Sequence, residues 1–314
     1  AGSGKLTLVP WNQVLRPSRI TIERGTLQID NSGDIPGSAT GNFSFEAPVL
    51  NKGALLFNSA RNVFASGAIS GPGSVTQNGP GELILQSPDN TYTGGTTINQ
   101  GSIRTAYALP GNVKVNGTTT LEGYANGGAA QLAGVAGDLY NSGRVVVRGG
   151  DTHIGGSYTN TFTGTLAVSL GSKLVVDGNI LVSGGTLEII GADQGYVANS
   201  HTEVFTTTKG ISFGGSFTRL AKAAGVVFTS SRIYYDSHSA WLDTTGLDVT
   251  TAAAGGGVTY TPLSLGSAQR VQGAFTQLNS KIASGNLSSV SSDFVQAAGE
   301  FQQAPNLEAA QASL

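Results

Sequence analysis

The chain has 314 residues, 46 of them glycine, and carries 17 basic against 19 acidic side chains, for a formal charge of −2. With so little net charge and no run of Lys or Arg, the sequence excludes an electrostatic mode of binding to nucleic acid or to an anionic membrane surface. Cysteine is absent, which excludes disulfides, thiolate metal sites and a cysteine nucleophile. The glycine content favours many tight turns over long helices, so the composition predicts an all-β fold.

The first eighty residues contain short segments in which apolar and polar residues alternate. Each segment has a Gly or Asn beside it, which is typical of a β-strand that ends in a turn. These segments are residues 4–8, 19–22, 25–29, 53–57 and 68–75. Their number and length predict a structure built from many short strands.

The stretch from Gly81 to Ile103, GELILQSPDNTYTGGTTINQGSI, defines the repeating unit. It holds two or three short strands in about 22 residues, which is too short for a propeller blade and suits one coil of a parallel β-helix. Each coil of such a fold hydrogen-bonds to the coils on either side. The residues that define the unit are Gly81, Leu83, Leu85, Asn90, Tyr92, Gly94, Gly95, Thr96, Thr97, Ile98 and Gly101.

These residues resemble the passenger-associated repeat of bacterial autotransporters, the type V secretion proteins. The resemblance implies a right-handed parallel β-helix, a handedness that the crossover rule for parallel strands also favours. It further implies export through the periplasm and outer membrane to the bacterial cell surface or the medium. It says nothing about a substrate.

After the repeat, short strands are predicted at residues 113–115, 119–121, 144–147 and 166–168, and from Thr165 to Thr245 the segments become longer and more aromatic. An open coil would leave its last strands with unpaired backbone groups, so a cap of antiparallel hairpins is expected there. The residues assigned to this cap are Leu166, Val168, Leu174, Val176, Leu187, Ile189, Tyr234 and Trp241. Trp241, Tyr234 and Tyr235 are expected to pack in the core of the cap.

Residues 164–168, 174–178 and 181–189 resemble the C-terminal autochaperone region of autotransporter passengers, especially that of the subtilisin-like protease autotransporters. The resemblance implies that the cap assists folding and secretion. It also implies that an effector domain, a subtilisin-like serine protease, lies before Ala1.

The last sixty residues change from strand to helix periodicity. Residues 252–257 form a small-residue linker, and a helix is predicted from about Ser267 to Ala283, with a second over residues 293–303. The apolar stripe of the first helix is Val271, Phe275, Leu278 and Ile282. The predicted domains are therefore a β-helix stalk at 1–164, a cap at 165–250, a linker at 251–263, and a helical linker at 264–314 that leads toward a translocator β-barrel outside this sequence.

Candidate catalytic and metal-binding residues are few. Residues 210–214 satisfy G-x-S-x-G, but no helical pattern follows, so a strand of the cap is the favoured interpretation over a nucleophile elbow. His153, His201 and His238 lack metal-ligand spacing, so neither a metal nor another cofactor is predicted. The isolated carboxylates leave open a glycan-active site of the kind found on other β-helices, and these are Asp138, Asp151, Asp177 and Asp193.

The sequence thus predicts a non-catalytic stalk and folding-assisting region of an autotransporter passenger that displays an N-terminal effector. The alternative is a self-associating or host-binding adhesin that acts through the β-helix surface, where turn tyrosines are candidate contacts. These tyrosines are Tyr92, Tyr107, Tyr124, Tyr140 and Tyr158, of which Tyr92 is expected to pack against a neighbouring coil. The predicted partners are the translocator β-barrel, the N-terminal effector domain, the outer-membrane assembly machinery, and sister-cell or host surfaces, but not nucleic acid.

Overall fold

The computed structural model describes residues 4–10, 14–31, 41–117, 120–123, 125–126, 129–130, 134–193, 195–196, 200–212, 215–223, 230–245 and 261–303. Within these ranges the chain forms many short strands, followed by helices. The strands are β1 (Lys5–Leu8), β2 (Val14–Leu15), β3 (Ile20–Ile22), β4 (Thr26–Asn31), β5 (Phe43–Phe45), β6 (Val49–Asn51), β7 (Ala54–Ser59), β8 (Val63–Ala65), β9 (Ile69–Ser70), β10 (Ser74–Gln77), β11 (Glu82–Leu85), β12 (Thr96–Ile98), β13 (Ser102–Thr105), β14 (Val113–Val115), β15 (Thr120–Gly123), β16 (Ala125–Asn126), β17 (Ala129–Ala130), β18 (Leu139–Asn141), β19 (Arg144–Val147), β20 (Thr152–Ile154), β21 (Tyr158–Asn160), β22 (Thr165–Leu170), β23 (Leu174–Val176), β24 (Ile180–Val182), β25 (Thr186–Ala192), β26 (Ser200–Thr207), β27 (Arg219–Lys222), β28 (Ser230–Tyr235) and β29 (Ser239–Thr245).

These strands build three faces of a coil. The nine-stranded face has the order β1-β4-β7-β10-β12-β14-β18-β21-β24, and the ten-stranded face has the order β2-β5-β8-β11-β13-β15-β19-β22-β25-β27. The third face contains a three-stranded sheet, β3-β6-β9, and further along the chain the sheet β20-β23-β26-β29-β28. Neighbours on the first two faces come from successive coils and pair in parallel, which confirms the predicted parallel β-helix.

The coils are unequal in length. Positions that pair between adjacent coils are separated by 17 residues for Thr96 and Val113, and by 28 residues for Thr26 and Ala54. The extra residues lie in the turns, since the strand register on each face is kept. The repeat of about 22 residues read from the central stretch lies inside this range.

The core consists of columns of inward-facing side chains. Strand β7 alternates half-buried and buried residues, and its Leu55 and Phe57 are fully buried. Parallel register places Leu55 beside Leu27 on one side and Val75 on the other, so apolar side chains stack along the coil at the strand spacing of about 4.8 Å. One continuous apolar cluster therefore runs through the coils.

Strand pairing changes near the end of the coil. On the third face β23 pairs with β26 in parallel, and β26 then pairs with β29, and β29 with β28, in antiparallel fashion. The predicted boundary at residue 164 does not coincide with this change, because β22 still pairs in parallel with β19 and β25. The antiparallel pairing involves β26, β28 and β29, and the division of the chain into stalk and cap stays a prediction.

Two helices follow the strands, α1 (Pro262–Ala283) and α2 (Ser292–Gln303), with a 3₁₀ turn between them at Leu287–Ser289. Helix α1 begins before the predicted start at Ser267, because proline is well suited to the first turn of a helix. The predicted linker at 251–263 lies largely outside the described residues, and its last two residues belong to α1. Neither helix combines the length and apolar character that a membrane-spanning helix needs.

The apolar stripe of α1 faces α2 and the coil. Phe275 and Leu278 are buried, and the Phe275 ring lies 5.4 Å from the Phe301 ring of α2. On the other side, Phe275 lies 5.4 Å from the ring of Tyr196, which follows β25. Two further positions of the stripe, Val271 and Ile282, are partly buried against this cluster. The helical hairpin therefore packs on the side of the coil through aromatic contacts.

Candidate functional site

The central repeat forms a corner of the coil that is held by polar side chains. Tyr92 is fully buried, and its hydroxyl hydrogen-bonds with Thr96 Oγ1 at 2.6 Å. Asn90 Oδ1 accepts a hydrogen bond from the Ile69 backbone N–H of the preceding coil at 2.9 Å, and Thr91 N donates to Ile69 O at 2.8 Å. These bonds pair backbone groups at a point where the strands themselves stop.

The glycines of the repeat allow adjacent coils to approach closely. A Cβ on Gly94 would lie 2.6 Å from the Gly73 carbonyl carbon. Gly95 and Gly101 have φ angles of +79° and +67°, and a Cβ on Gly101 would overlap the carbonyl oxygen of Gly81. A Cβ on Gly81 would likewise overlap the carbonyl oxygen of Arg61. Of the strand positions, Leu83, Leu85 and Ile98 are buried in the core, and Thr97 is half-buried on the outer surface.

We expect the buried Tyr92 to make stability fall at alkaline pH. Burial, offset in part by the hydrogen bond to Thr96, raises the pKa of Tyr92 from 10.0 to about 12, and burial also raises the pKa of Tyr158. Below pH 10 the phenol is protonated in both the folded and unfolded states, so its full contribution is present. From pH 10 to about 12 the unfolded state loses the proton first, and the free energy of unfolding falls by up to about 1.4 kcal/mol per pH unit for each such group.

Urea unfolding of the wild type and of Tyr92→Phe at pH 8, 9, 10 and 11 measures how much the buried Tyr92 phenol contributes to the loss of stability at alkaline pH. At pH 8 the free energy of unfolding of the variant is expected to be about 1 kcal/mol lower, because the hydrogen bond is missing. Above pH 10 it should fall less steeply with pH than that of the wild type. Thr96→Val is the matched control, because it removes the hydrogen bond while leaving the phenol buried, and it should keep the wild-type slope. If the free energy of unfolding fell equally steeply with pH in the wild type and in Tyr92→Phe, ionisation of Tyr92 would not be a cause of the alkaline loss of stability.

The residues assigned to the cap fall into two groups. Most of them are fully buried in the parallel coils, and these are Leu166, Val168, Leu174, Val176, Leu187 and Ile189. Tyr235 packs against Phe205, with ring centroids 6.3 Å apart. The expectation that Tyr234 and Trp241 share this core is wrong: Tyr234 is 39% exposed and pairs across the strands with a half-buried Trp241 on the outer surface. Because side chains alternate along a strand, Tyr234 and Tyr235 point to opposite faces.

The outer surface of the cap sheet is a network of cross-strand contacts. Trp241 stacks on His201 with centroids 4.8 Å apart, and its indole N–H donates to Asp236 Oδ2 at 3.0 Å. Lys173, directly before β23, has its Nζ 2.6 Å from Glu203 Oε2 on β26, and this hydrogen bond raises the pKa of Lys173. Such contacts join the parallel strand β23 to the antiparallel hairpin.

The histidines are separated and each has a local partner. His153 Nε2 lies 3.0 Å from Asp177 Oδ1, His201 Nδ1 lies 2.5 Å from Asp243 Oδ1, and His238 Nδ1 lies 2.7 Å from Ser237 Oγ. In the described parts of the chain, no three His, Cys, Asp or Glu side chains are grouped so that they could hold a metal ion. Of the G-x-S-x-G string, Ile211 bridges to Ile180 of the preceding coil, and residues 213–214 lie outside the described chain.

The isolated carboxylates hold turns. Asp138 Oδ1 accepts from the Ser157 backbone N–H at 2.8 Å, and Asp151 Oδ1 accepts from the Lys173 N–H at 3.1 Å. Asp193 Oδ1 accepts from the Gly149 N–H at 3.0 Å. Asp177 contacts His153. Three of these carboxylates therefore accept hydrogen bonds that hold turns of the coil, and Asp177 pairs with His153.

Comparison with known proteins agrees with this architecture. A family model described as the passenger-associated-transport repeat matches residues 75–104. Over 211 residues the chain is 33% identical to the adhesin BmaC autotransporter of Brucella suis biovar 1 (strain 1330), an alignment that covers 62% of this chain and 6% of that protein. These two matches support an autotransporter passenger domain. This passenger homology implies export to the cell surface or secretion, and neither match indicates catalysis.

The matched repeat can be placed on the passenger structure. It begins within β10, continues through β11 and β12, and ends within β13, so it contains the Tyr92 corner and a little more than one coil. Within it, Val75 pairs with Thr96, and Leu83 pairs with Ile103. The passenger-associated repeat is therefore a coil together with its contacts to the next one.

One surface of the passenger was not recognised from the sequence. Each strand of the nine-stranded face from β4 to β24 carries an Asp, Asn, Ser or Thr at its last outward position or just beyond its end, where the chain turns toward the ten-stranded face. This polar column consists of Asp30, Asn58, Asn78, Asn99, Asn116, Ser142, Thr161 and Ser183. The sequence carries a signal for this column, because an Asn, Ser or Thr directly follows the last inward residue of each strand of this face from β10 to β24. The unequal coil lengths hide its period.

Proposed function

We propose that this passenger segment is a non-catalytic β-helical stalk whose C-terminal hairpin assists folding and secretion. The observation that supports it is the sheet β20-β23-β26-β29-β28, in which one strand, β26, pairs with the hairpin on one edge and with the coil on the other. The hairpin contacts are local, since Tyr234 and Trp241 are cross-strand neighbours. Local contacts form quickly, so the hairpin and β26 supply a paired edge to which β23 and the earlier coils add.

In this proposal the domain division is a stalk followed by a cap, a linker and a helical segment. The partners are the translocator β-barrel and effector of the same protein, together with the outer-membrane assembly machinery. Coil formation outside the cell would favour onward export by preventing the chain from sliding back. A subtilisin-like protease as the effector stays a prediction that rests on the cap resemblance.

Deleting residues 200–245 from the parent autotransporter tests the role of the hairpin. We expect surface display to be lost, or the remaining stalk to be cleaved by added protease, because β23 and β25 are left as unpaired edges. The matched control deletes residues 75–95, one whole coil, after which Thr96 takes the place of Val75 in register. That variant should be displayed and protease-resistant. Normal display and resistance in the hairpin deletion would refute the proposal.

Adhesion is the second candidate function, and the identity to a protein named as an adhesin favours it. On this proposal the passenger binds sister cells or host cells through the surface of the coils. The purified segment should then bind cells saturably without an effector domain. A stalk that only displays another domain predicts no such binding.

A further inference from the structure

The polar column on the nine-stranded face continues the backbone ladder of the coil. Asn99 N donates to Gln77 O at 2.8 Å, Asn116 N donates to Ile98 O at 2.9 Å, and Thr161 N donates to Asn141 O at 2.9 Å. The side chains of the column therefore repeat along the coil at the strand spacing of about 4.8 Å. Most are half-buried, and Asn99 is exposed.

Neighbouring side chains of the column hydrogen-bond to one another. Asn116 Nδ2 donates to Asn99 Oδ1 at 2.9 Å, and Asn99 Nδ2 donates to Asn78 Oδ1 at 3.3 Å. Further along, Thr161 Oγ1 donates to Ser142 Oγ at 3.2 Å. An asparagine side chain has two donor hydrogens and two acceptor lone pairs, so these two bonds leave Asn99 with capacity for a bound hydroxyl group. The contacts also hold the side chains in fixed orientations before a ligand arrives.

Two exposed aromatic rings lie at the later part of this column. Phe162, directly after Thr161, is 78% exposed, and Tyr140, two residues before Ser142, is 42% exposed. The turn that carries Phe162 is fixed, since Thr163 Oγ1 donates to Ser142 O at 2.9 Å and Gly164 N donates to Thr161 O at 3.1 Å. A large apolar ring is thus held in solvent beside a row of hydroxyl and amide groups.

The charge of this surface narrows the ligand class. From Asn78 to Ser183 the column has amides and hydroxyls only. Of the described cations near it, Lys114 has its Nζ 5.8 Å from the centre of the Tyr140 ring, and Arg144 is paired with Glu188. A polyanion would need a series of unpaired cations, which the described residues of this surface do not offer. An uncharged glycan matches this surface better. Its repeating hydroxyl groups can hydrogen-bond to the column, and the apolar faces of its sugar rings can pack on the aromatic side chains.

We propose that the corner from Asn78 to Ser183 binds an extended, uncharged glycan, with hydroxyls on the asparagine, serine and threonine side chains and a sugar ring against Phe162. The proposal rests on adhesion, the second candidate function, and supplies its ligand class and contact residues. The stalk role of the coil does not depend on it.

Affinity electrophoresis of the purified segment through gels that contain mixed-linkage β-glucan, xylan or galactomannan tests this proposal, with heparin as the anionic comparator. We expect at least one neutral polysaccharide to retard the wild type. Phe162→Ala should weaken that binding about tenfold, because it removes the stacking ring without disturbing the core. Asn99→Ala should weaken it about fivefold, the effect of one lost hydrogen bond.

Phe294→Ala is the matched control, since it removes an exposed ring of α2 far from the column in sequence, and it should bind as the wild type does. Unchanged thermal unfolding of each variant establishes that the coil is intact. Retardation by heparin alone, by none of the four polymers, or equally for wild type and Phe162→Ala would overturn the proposal. Saturable cell binding that neutral polysaccharides fail to inhibit would leave adhesion standing and assign it to another ligand.

Discussion

Replacing Gly101 by alanine is expected to destabilise the coil by about 3 kcal/mol or more. Two costs combine at this position. The φ angle of +67° disfavours any residue with a Cβ, and that Cβ would overlap the carbonyl oxygen of Gly81 in the coil before. Because the obstacle is backbone of a hydrogen-bonded ladder, the clash is relieved only by moving two coils apart.

Gly117→Ala separates the two costs. Gly117 has a similar φ angle of +56°, but nothing lies within 4 Å of a Cβ built there. It should therefore show the conformational cost alone, about 1 kcal/mol. Urea unfolding of the two purified variants gives the comparison, and limited proteolysis near residue 101 detects local opening if the coils unfold separately. Equal destabilisation by the two substitutions would show that close approach of the coils has no energetic effect.

This contrast shows what the sequence reveals about the coil. The Gly-x-Leu-x-Leu alternation predicted strands whose leucines face inward, and Leu83 and Leu85 are buried as that pattern requires. The repeat also showed where turns occur, since Gly, Asn and Pro punctuate it. The sequence did not show which glycines lie against another coil, because that depends on a neighbour some twenty residues away.

Register also explains the misplaced aromatics of the cap. Alternation fixes which residues of β28 and β29 share a face, but not which face is covered by the coil. Strand β26 pairs in parallel with β23 and in antiparallel fashion with β29, so the covered face depends on how β26 joins the two pairings. Trp241 was predicted to lie in the core because its ring is large and apolar. In the structure it lies on the outer surface, stacked on His201 and hydrogen-bonded to Asp236.

Polar residues inside the coil were the other feature that sequence rules could not place. Asparagine after a short strand is typical of a turn, where its side chain faces solvent. Asn141 and Asn160 instead occupy inward positions, in register with the apolar Val115 and Val182 of neighbouring coils, and both are fully buried. At this corner their side-chain amides donate to backbone carbonyls, Asn141 to Thr165 O and Asn160 to Gly164 O and Gly184 O, which the alternation pattern of the sequence does not reveal.

The largest effect of a side-chain change is therefore expected for Asn160→Leu, which should lower the free energy of unfolding by about 3 to 5 kcal/mol. Asn160 Nδ2 donates to Gly184 O at 2.9 Å and to Gly164 O at 3.2 Å, and its Oδ1 accepts from Tyr158 OH at 2.9 Å. Asn141 Nδ2 donates to the same Oδ1 at 2.8 Å. Leucine has a similar volume, so the loss reports unpaired buried groups rather than a cavity.

A double-mutant cycle with Tyr158→Phe tests this cause. Tyr158 is fully buried, and in Asn160→Leu its hydroxyl loses the oxygen to which it donates. The hydroxyl would keep only the hydrogen bond that it accepts from Asn141 Nδ2 at 3.3 Å, and its own O–H would have no acceptor. Removing the hydroxyl as well should recover about 1 kcal/mol relative to the sum of the single changes, since that unpaired buried donor disappears. Val182→Leu, an apolar substitution in the same column, is the control and should cost less than Asn160→Leu. If the two single effects add without coupling, the buried network does not hold this corner, and the asparagines act through shape alone.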